Sequence, residues 1–184
     1  DLFTQMLGQA VAEARGDDSE TVEAAGVAIN IPADFFLDEE YLPRVDERVL
    51  AYRKLAAADD LESVDRLQEE TEAVHGELPQ AGLNLFDRAR IRIRGERLGL
   101  ESVTLSGGRL TFLGVDVPKN VAFDLKDRLG AVVFPRSRKL SIPYRAGAGA
   151  GSGVGRGLNA DDGQGPVAAA LAVLCQLGAS GDDD

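Results

Sequence analysis

The chain has 184 residues, of which 44% are hydrophobic and 28% charged, and its formal net charge is −11. This composition is typical of a globular protein. A chain of this length buries roughly 70% of the surface that its unfolded form exposes, so it can fold without a disulfide bond or a structural metal ion. The acidic balance disfavours tight binding to nucleic-acid phosphates but suits docking on a basic protein surface. Cys175 is the single cysteine, which excludes an intramolecular disulfide and a thiolate zinc site.

The N-terminal residues predict an amphipathic helix over residues 2–14, followed by a polar loop over residues 17–26. The apolar residues of this helix recur at three- and four-residue steps: Leu2, Phe3, Met6, Leu7, Ala10, Val11 and Ala14. The chain starts inside the pattern without an initiator methionine, so we expect a fragment of a longer protein. The sequence has no charged-then-apolar leader and no apolar run of about 18 residues, and we expect a cytoplasmic location.

A short strand over residues 27–31 and two helices are predicted next. The first helix covers residues 45–57, and we expect it to bury Val45, Val49, Tyr52, Leu55 and Ala56. The second is capped by Asp59 or Asp60 and ends before Gly76, which suits the positive φ of a residue after a helix. Its predicted apolar stripe is Leu61, Val64, Leu67, Thr71 and Val74.

The hydrophobic pattern of residues 79–98 is compatible with both the two-residue period of a strand and the 3.6-residue period of a helix. Arg88 to Arg94 alternates basic and apolar residues as a strand does, yet Leu83, Phe86 and Ile93 share one helical face. We favour a helix here, with Gly99 as its C-terminal stop.

The remaining elements complete an α+β fold in which helices pack with short β-hairpins or a small sheet. Gly107-Gly108 predicts a tight turn between strands at 103–105 and 110–112. A helix over residues 118–129 and a second strand pair at 132–134 and 140–142 follow. We expect a single compact domain over residues 1–144, a flexible glycine-rich linker over 145–166, and a C-terminal helix with an acidic tail over 167–184.

None of the motifs that suggest chemistry is complete. The glycine run lacks the Gly-Lys-Ser/Thr ending of a phosphate loop. His75 is the single histidine, and its position before Gly76 suits the negative end of a helix dipole. Cys175 lies on an apolar helix, where we expect a buried small side chain. We therefore predict no catalytic residue, no metal site and no cofactor; a self-standing hydrolase would need a cleft of convergent carboxylates around His75.

One stretch concentrates positive charge. It contains five arginines: Arg88, Arg90, Arg92, Arg94 and Arg97. On a helix they scatter over a broad surface, and no aromatic residue interleaves with them for base stacking. Ion pairs with the acidic helix 60–75 are our first interpretation, and an accessory nucleic-acid-binding surface is the alternative.

The segment from Ile29 to Pro79 carries a resemblance to a known family. It begins INIPADFFLDEEYLPRVDERVLAYRKLA and closes, after an acidic helix, on HGELP. This order resembles the C-terminal domain of the bacterial transcription-repair coupling factor (Mfd), over residues 1 to about 144 and the last helix. The long glycine-rich stretch is unusual for that family.

The resemblance implies a regulatory role without chemistry. In that family the domain docks on the UvrB-like N-terminal module of the same protein, masks the surface that recruits UvrA, and restrains the motor until RNA polymerase is engaged. ATP and magnesium would then serve only the motor domains of the parent DNA translocase, through which contact with DNA would also be made. No membrane is implied.

The resemblance also suggests interface residues. In the family, a Glu and an Asp three residues later face arginines of the UvrB-like module. Counting back from Gly76, Glu70 takes the position of the Glu, whereas Ala73 takes that of the Asp. The resemblance therefore implies an interface that is weaker here, or one that uses Glu69 and Glu72 instead.

Overall fold

Six strands form the sheet of this computed structural model, which describes residues 26–117, 119–129, 133–136, 138–145, 158–159 and 165–179. The strands are β1 (Ala28–Asn30), β2 (Ser102–Ser106), β3 (Arg109–Leu113), β4 (Val133–Arg136), β5 (Lys139–Arg145) and β6 (Leu158–Asn159). The helix predicted over residues 2–14 and most of the glycine-rich linker lie outside the described ranges.

The sheet is mixed. Its strand order is β1-β2-β3-β5-β4, and β6 pairs with β5. β1 runs parallel to β2, with Ile29 opposite Val103, whereas β2, β3, β5 and β4 pair antiparallel in that order. Both glycines of the β2–β3 turn have positive φ, +56° at Gly107 and +70° at Gly108, which confirms the predicted hairpin.

The described ranges contain five helices: α1 (Val45–Ala57), α2 (Leu61–His75), α3 (Gln80–Arg97), α4 (Lys119–Leu129) and α5 (Pro166–Ala179). Asp60 caps α2 by accepting a 2.6 Å hydrogen bond from the backbone N–H of Ser63. Gly76 ends α2 with a φ of +86°, as the sequence predicts. α3 is continuous through the arginine run, so the helix prediction is confirmed over the strand alternative.

Two hydrophobic clusters make the core. The first joins the inner face of the sheet to α4 and α5 through residues such as Val103, Phe112, Leu125 and Leu174. The second lies among α1, α2 and α3, around Phe86. Helix α3 belongs to both clusters, because Ile91 packs in the first while Phe86 and Ile93 pack in the second. The α+β prediction is therefore confirmed, with α3 between the helical layer and the sheet.

The buried face predicted for α1 is wrong except at Leu55. Ala51 and Leu55 are the buried residues of α1. Val45, Val49, Tyr52 and Ala56 form the adjacent row of the helix and are exposed. Both sets have helical spacing, and the structure packs the set that includes the small Ala51 against α2 and α3. In α2, Val64 and Leu67 are buried as predicted, whereas Val74 is exposed.

The C-terminal helix is part of the main core. Its residues Val167, Ala170 and Leu174 are fully buried, and α5 packs along α3. Cys175 is only half-buried, so the expectation of a fully buried thiol is not met.

Candidate interaction surfaces

The exposed side of α2 carries an acidic surface, formed by Glu62, Asp65, Glu69 and Glu70. These residues are exposed because Val64 and Leu67, on the other side of α2, pack into the helical core. Glu69 and Glu70, two of the three carboxylates that the resemblance suggests as interface residues, are neighbours on this surface. Because these carboxylates all lie on one helix, their negative charges face solvent together and are accessible to a partner.

Glu70 is held loosely within the domain. Its Oε2 lies 3.8 Å from Nζ of Lys54 on α1, and the two side chains are 59% and 51% exposed. An ion pair that is this open to solvent contributes about 0–1 kcal/mol. Glu70 can therefore exchange Lys54 for an external cation at little cost.

Glu72 has a different environment. Its Oε1 accepts hydrogen bonds from Nε2 of Gln68 at 3.1 Å and from the backbone N–H of Leu78 at 3.4 Å. The Glu72 carboxylate thus ties the end of α2 to the start of α3. Of the three predicted interface residues, the structure brings Glu69 and Glu70 to solvent and engages Glu72 internally.

A shallow groove of about 320 Å³ borders Glu70 where α1 ends and α2 begins. Its lining combines two cations, one carboxylate and small or apolar side chains: Lys54, Ala57, Ala58, Ser63, Arg66, Leu67 and Glu70. Arg66 is itself paired with Glu62, at 2.7 Å. The groove is suited to receiving a partner side chain beside Glu70.

Arg90 carries most of the ion pairing predicted between the arginine run and α2. Its Nη2 lies 2.8 Å from Oδ1 of Asp65 and donates to Oε1 of Gln68 at 2.6 Å, while Nη1 donates to Asp87 at 2.9 Å. Burial raises the pKa of Asp87, and the charge and hydrogen bond of Arg90 oppose that rise.

Two other arginines of the run also serve the domain. Arg92 donates to the backbone carbonyl of Ala58 at 2.6 Å and so closes the α1–α2 turn. The guanidinium of Arg88 lies 5.1 Å from the ring centroid of Phe35, a cation–π distance. Both side chains are half-buried.

The ends of the run differ. Arg94 is half-buried and reaches toward Gly178 of α5, whereas Arg97 is exposed. The five arginines point in different directions, as helical spacing requires, and only Arg97 among them is exposed. The interpretation as ion pairing within the domain is thus better supported than a nucleic-acid surface.

Two tyrosines secure the region that precedes α1; Tyr52 was expected in the core, and no role was predicted for Tyr41. The Tyr41 hydroxyl donates to the carbonyl of Gly76 at 2.7 Å, and its ring lies 5.8 Å from that of His75. The Tyr52 hydroxyl accepts from the backbone N–H of Leu37 at 2.9 Å. His75 Nε2 lies 3.9 Å from Glu47 Oε2, so the single histidine joins the ends of α1 and α2.

A second surface is apolar. Val45, Val49, Tyr52 and Ala56 form one exposed row along α1, which we term the α1 stripe. The spacing of these residues predicts the row but places it in the core. Both this row and the buried row of Ala51 and Leu55 are apolar. Which of the two is exposed depends on how α1 packs against the other helices.

Over the ranges that the structure describes, no group of three or more His, Cys, Asp or Glu side chains converges as metal ligands. No helix within those ranges is long and apolar enough to cross a bilayer.

Comparison with known proteins identifies the class. The model of the TRCF-domain family matches residues 31–129, which begin directly after β1 and include α1 to α4. The chain belongs to this family. The match includes both the acidic surface of α2 and the α1 stripe.

The relatives are transcription-repair-coupling factors. The Bacillus subtilis protein is 26% identical over 135 residues, which cover 71% of this chain and 11% of the relative. The Staphylococcus aureus (strain USA300) protein is 23% identical over 148 residues, covering 80% and 12%. The chain thus spans about a tenth of the length of the curated relatives it matches.

A solved structure supports the fold. A crystal structure of the C-terminal domain of transcription-repair coupling factor superimposes with a TM-score of 0.59, covering 85% of this chain and 96% of that chain. The sequence identity is 12%, so this likeness concerns the fold alone.

Proposed function

We infer that this domain regulates a longer transcription-repair coupling factor by docking, and that it catalyses no reaction itself. The proposed partner is the UvrB-like N-terminal module of the same protein. When docked, the domain masks UvrA binding and restrains the motor, which acts on DNA and on stalled RNA polymerase in the cytoplasm. The supporting observation is the acidic surface of α2, where Glu70 is exposed and only loosely paired with Lys54.

The regulation is a shift between docked and released populations. A contact of about 3 kcal/mol keeps ~99% of molecules docked, and release then requires a competing interaction of similar size. Exposed carboxylates suit such a switch, because each contributes only about 0–1 kcal/mol with an arginine and is screened by salt. Several weak pairs thus give a contact that remains reversible.

A titration of this domain against the UvrB-like module at low and high salt tests the proposal. We expect binding that weakens with salt, and weaker binding for Glu70→Lys than for the wild type. Asp116→Lys is the matched control, since it makes the same charge change at an exposed residue away from α2. Equal losses for the two variants would show a general charge effect and overturn the assignment of Glu70.

The alternative function is accessory nucleic-acid binding by the arginine run. It predicts affinity for DNA or RNA that falls steeply as salt rises. Arg90 and Arg92 already bind groups within the domain, so we expect no binding at low salt. Binding that Arg97→Ala abolishes would favour this alternative over protein docking.

A further inference from the structure

Exposed apolar side chains concentrate along α1. Over the described residues eight large apolar side chains are exposed, and five of them lie on this helix or beside it: Phe36, Val45, Val49, Leu50 and Tyr52. Phe36 adjoins the α1 stripe because the next residue, Leu37, donates its backbone N–H to the Tyr52 hydroxyl. Single exposed apolar side chains are ordinary, whereas a contiguous apolar patch with a polar rim marks an interaction site.

The size of this patch limits the kind of contact it can make. Val45, Val49 and Tyr52 are 63%, 43% and 36% exposed, and Phe36 and Leu50 are 46% and 53% exposed. Together the five side chains expose on the order of 400 Å² of apolar surface, so two such patches bury at most about 800 Å² when they meet face to face. With a charged rim, such a contact has the size of a weak, reversible interface.

The spacing of the stripe is the same in both directions along the helix. Its members follow each other at steps of four, three and four residues, which is the apolar seam of a coiled coil. In an antiparallel pair of such helices, Val45 lies opposite Ala56 of the second copy and Val49 lies opposite Tyr52 of the second copy. Each layer then combines a larger side chain with a smaller one, so the stripe is its own complement.

The charges beside the stripe are self-complementary in the same way. Asp46 and Arg53 are exposed on one flank of it, toward opposite ends of α1. Antiparallel pairing brings Asp46 of each copy beside Arg53 of the other, whereas parallel pairing keeps both Asp46 residues at one end and both Arg53 residues at the other. Asp46 is paired with Arg44 at 2.7 Å, and both side chains are 67% exposed, so this pair exchanges at little cost.

We propose that two copies of this chain pair antiparallel through their α1 stripes, about a two-fold axis that passes between Val49 and Tyr52. The same patch serves both copies, so association closes at the dimer. Lys54, which pairs with Glu70, projects from the side of α1 opposite the stripe. The dimer therefore leaves the acidic surface of α2 free, and it does not depend on the proposed function.

Sedimentation velocity of the full chain, over a concentration series that reaches about 1 mM, measures the association. We expect a reversible equilibrium between monomer and dimer. Val49→Asp should weaken it at least about tenfold, because the substitution buries a charge at the centre of the contact. Val74→Asp is the matched control, since it makes the same change at an exposed valine on α2, away from the stripe, and should leave the equilibrium unchanged.

A charge exchange tests the direction of the two helices. Asp46→Arg alone, or Arg53→Asp alone, places like charges together at both symmetric contacts and should weaken self-association about tenfold. An equimolar mixture of the two variants should associate as tightly as the wild type, because each contact then joins one basic and one acidic residue again. Unchanged circular dichroism establishes that each variant is folded.

The outcomes separate the possible occupants of the stripe. Recovery in the mixture supports the antiparallel dimer, since no contact within one chain produces it. A chain that stays monomeric at the highest concentration overturns the proposal and leaves the stripe to another part of the same molecule or of a longer protein. A dimer that Val74→Asp weakens as much as Val49→Asp does, or a mixture without recovery, also overturns it.

Discussion

The guanidinium of Arg90 on α3 lies 2.8 Å from the carboxylate of Asp65 on α2. The same guanidinium binds Asp87 and Gln68, so one basic side chain satisfies polar groups on two helices. Its side chain is 17% exposed, whereas that of Asp65 is 56% exposed. Removal of Arg90 therefore affects the partly buried Asp87 more than it affects Asp65.

We expect Arg90→Ala to lower the free energy of unfolding by about 1–3 kcal/mol, because a buried carboxylate loses its charged hydrogen-bond donor. The deficit is larger at pH 7 than at pH 4, since the pKa of Asp87 is already raised by burial and a destabilising charge appears as pH rises through it. Urea denaturation at both pH values measures it. Arg97→Ala, at an exposed position, is the control and should have little effect.

Phe86→Ala should cost about 3–5 kcal/mol, because Phe86 is fully buried in the helical core and its removal leaves a cavity. Phe123→Ala, at a side chain 69% exposed, should stay within about 0.5 kcal/mol of the wild type. Urea midpoints of the two variants test the contrast. Similar losses would contradict the placement of Phe86.

Gly114→Ala should destabilise by more than ~2 kcal/mol. Gly114 has a φ of +94°, and a Cβ there would lie 2.6 Å from the backbone nitrogen of Glu101 and the carbonyl oxygen of Gly99. Gly107→Ala is the matched control, because it has a positive φ but open space around the added methyl group. It should cost only about 1–2 kcal/mol, from the φ angle alone. Thermal melts of both variants decide whether backbone contact adds to the φ penalty.

The cap of α2 should be sensitive to acid. The hydrogen bond from the Ser63 N–H holds the pKa of Asp60 below its ordinary value of 3.8. The stability from this ionised cap is present above the unfolded pKa and is lost as pH falls through the folded value. Asp60→Asn keeps a capping oxygen without titrating, so its stability relative to wild type should rise between pH 5 and pH 2. Asp59→Asn, at the exposed neighbouring residue, is the control.

Lys54 competes with any external cation for Glu70, and we expect Lys54→Ala to strengthen binding of the UvrB-like module, by a few-fold at most because exposed pairs are weak. Arg53→Ala removes a neighbouring charge without touching that pair. If both variants bind alike, Lys54 does not restrain Glu70.

The sequence predicted elements whose signals are local. Gly107-Gly108 and Gly76 tolerate positive φ independently of the tertiary structure, so the hairpin and the end of α2 could be located from the sequence. The arginine run was assigned correctly because Phe86 and Ile93 repeat at the helical period. These features depend on neighbours only a few residues away.

Features that depend on distant packing could not be predicted in the same way. α1 has two rows of apolar residues, and only contact with α2 and α3 selects Ala51 and Leu55 over Val45 and Val49. The parallel pairing of Ile29 with Val103 joins strands separated by three helices, and neither strand encodes its partner. The roles of Tyr41 and Glu72 likewise depend on where the helix ends meet.

The membership of α3 in both hydrophobic clusters should make the domain unfold as one cooperative unit. The sheet cannot lose Ile91 while the helical layer keeps Phe86 and Ile93, because all three side chains move with one helix. Amide protons in the middle of α3 should therefore exchange with solvent only through global opening, more slowly than those of α1. A change that destabilises the sheet should therefore also destabilise the helical layer that carries the acidic surface and the α1 stripe.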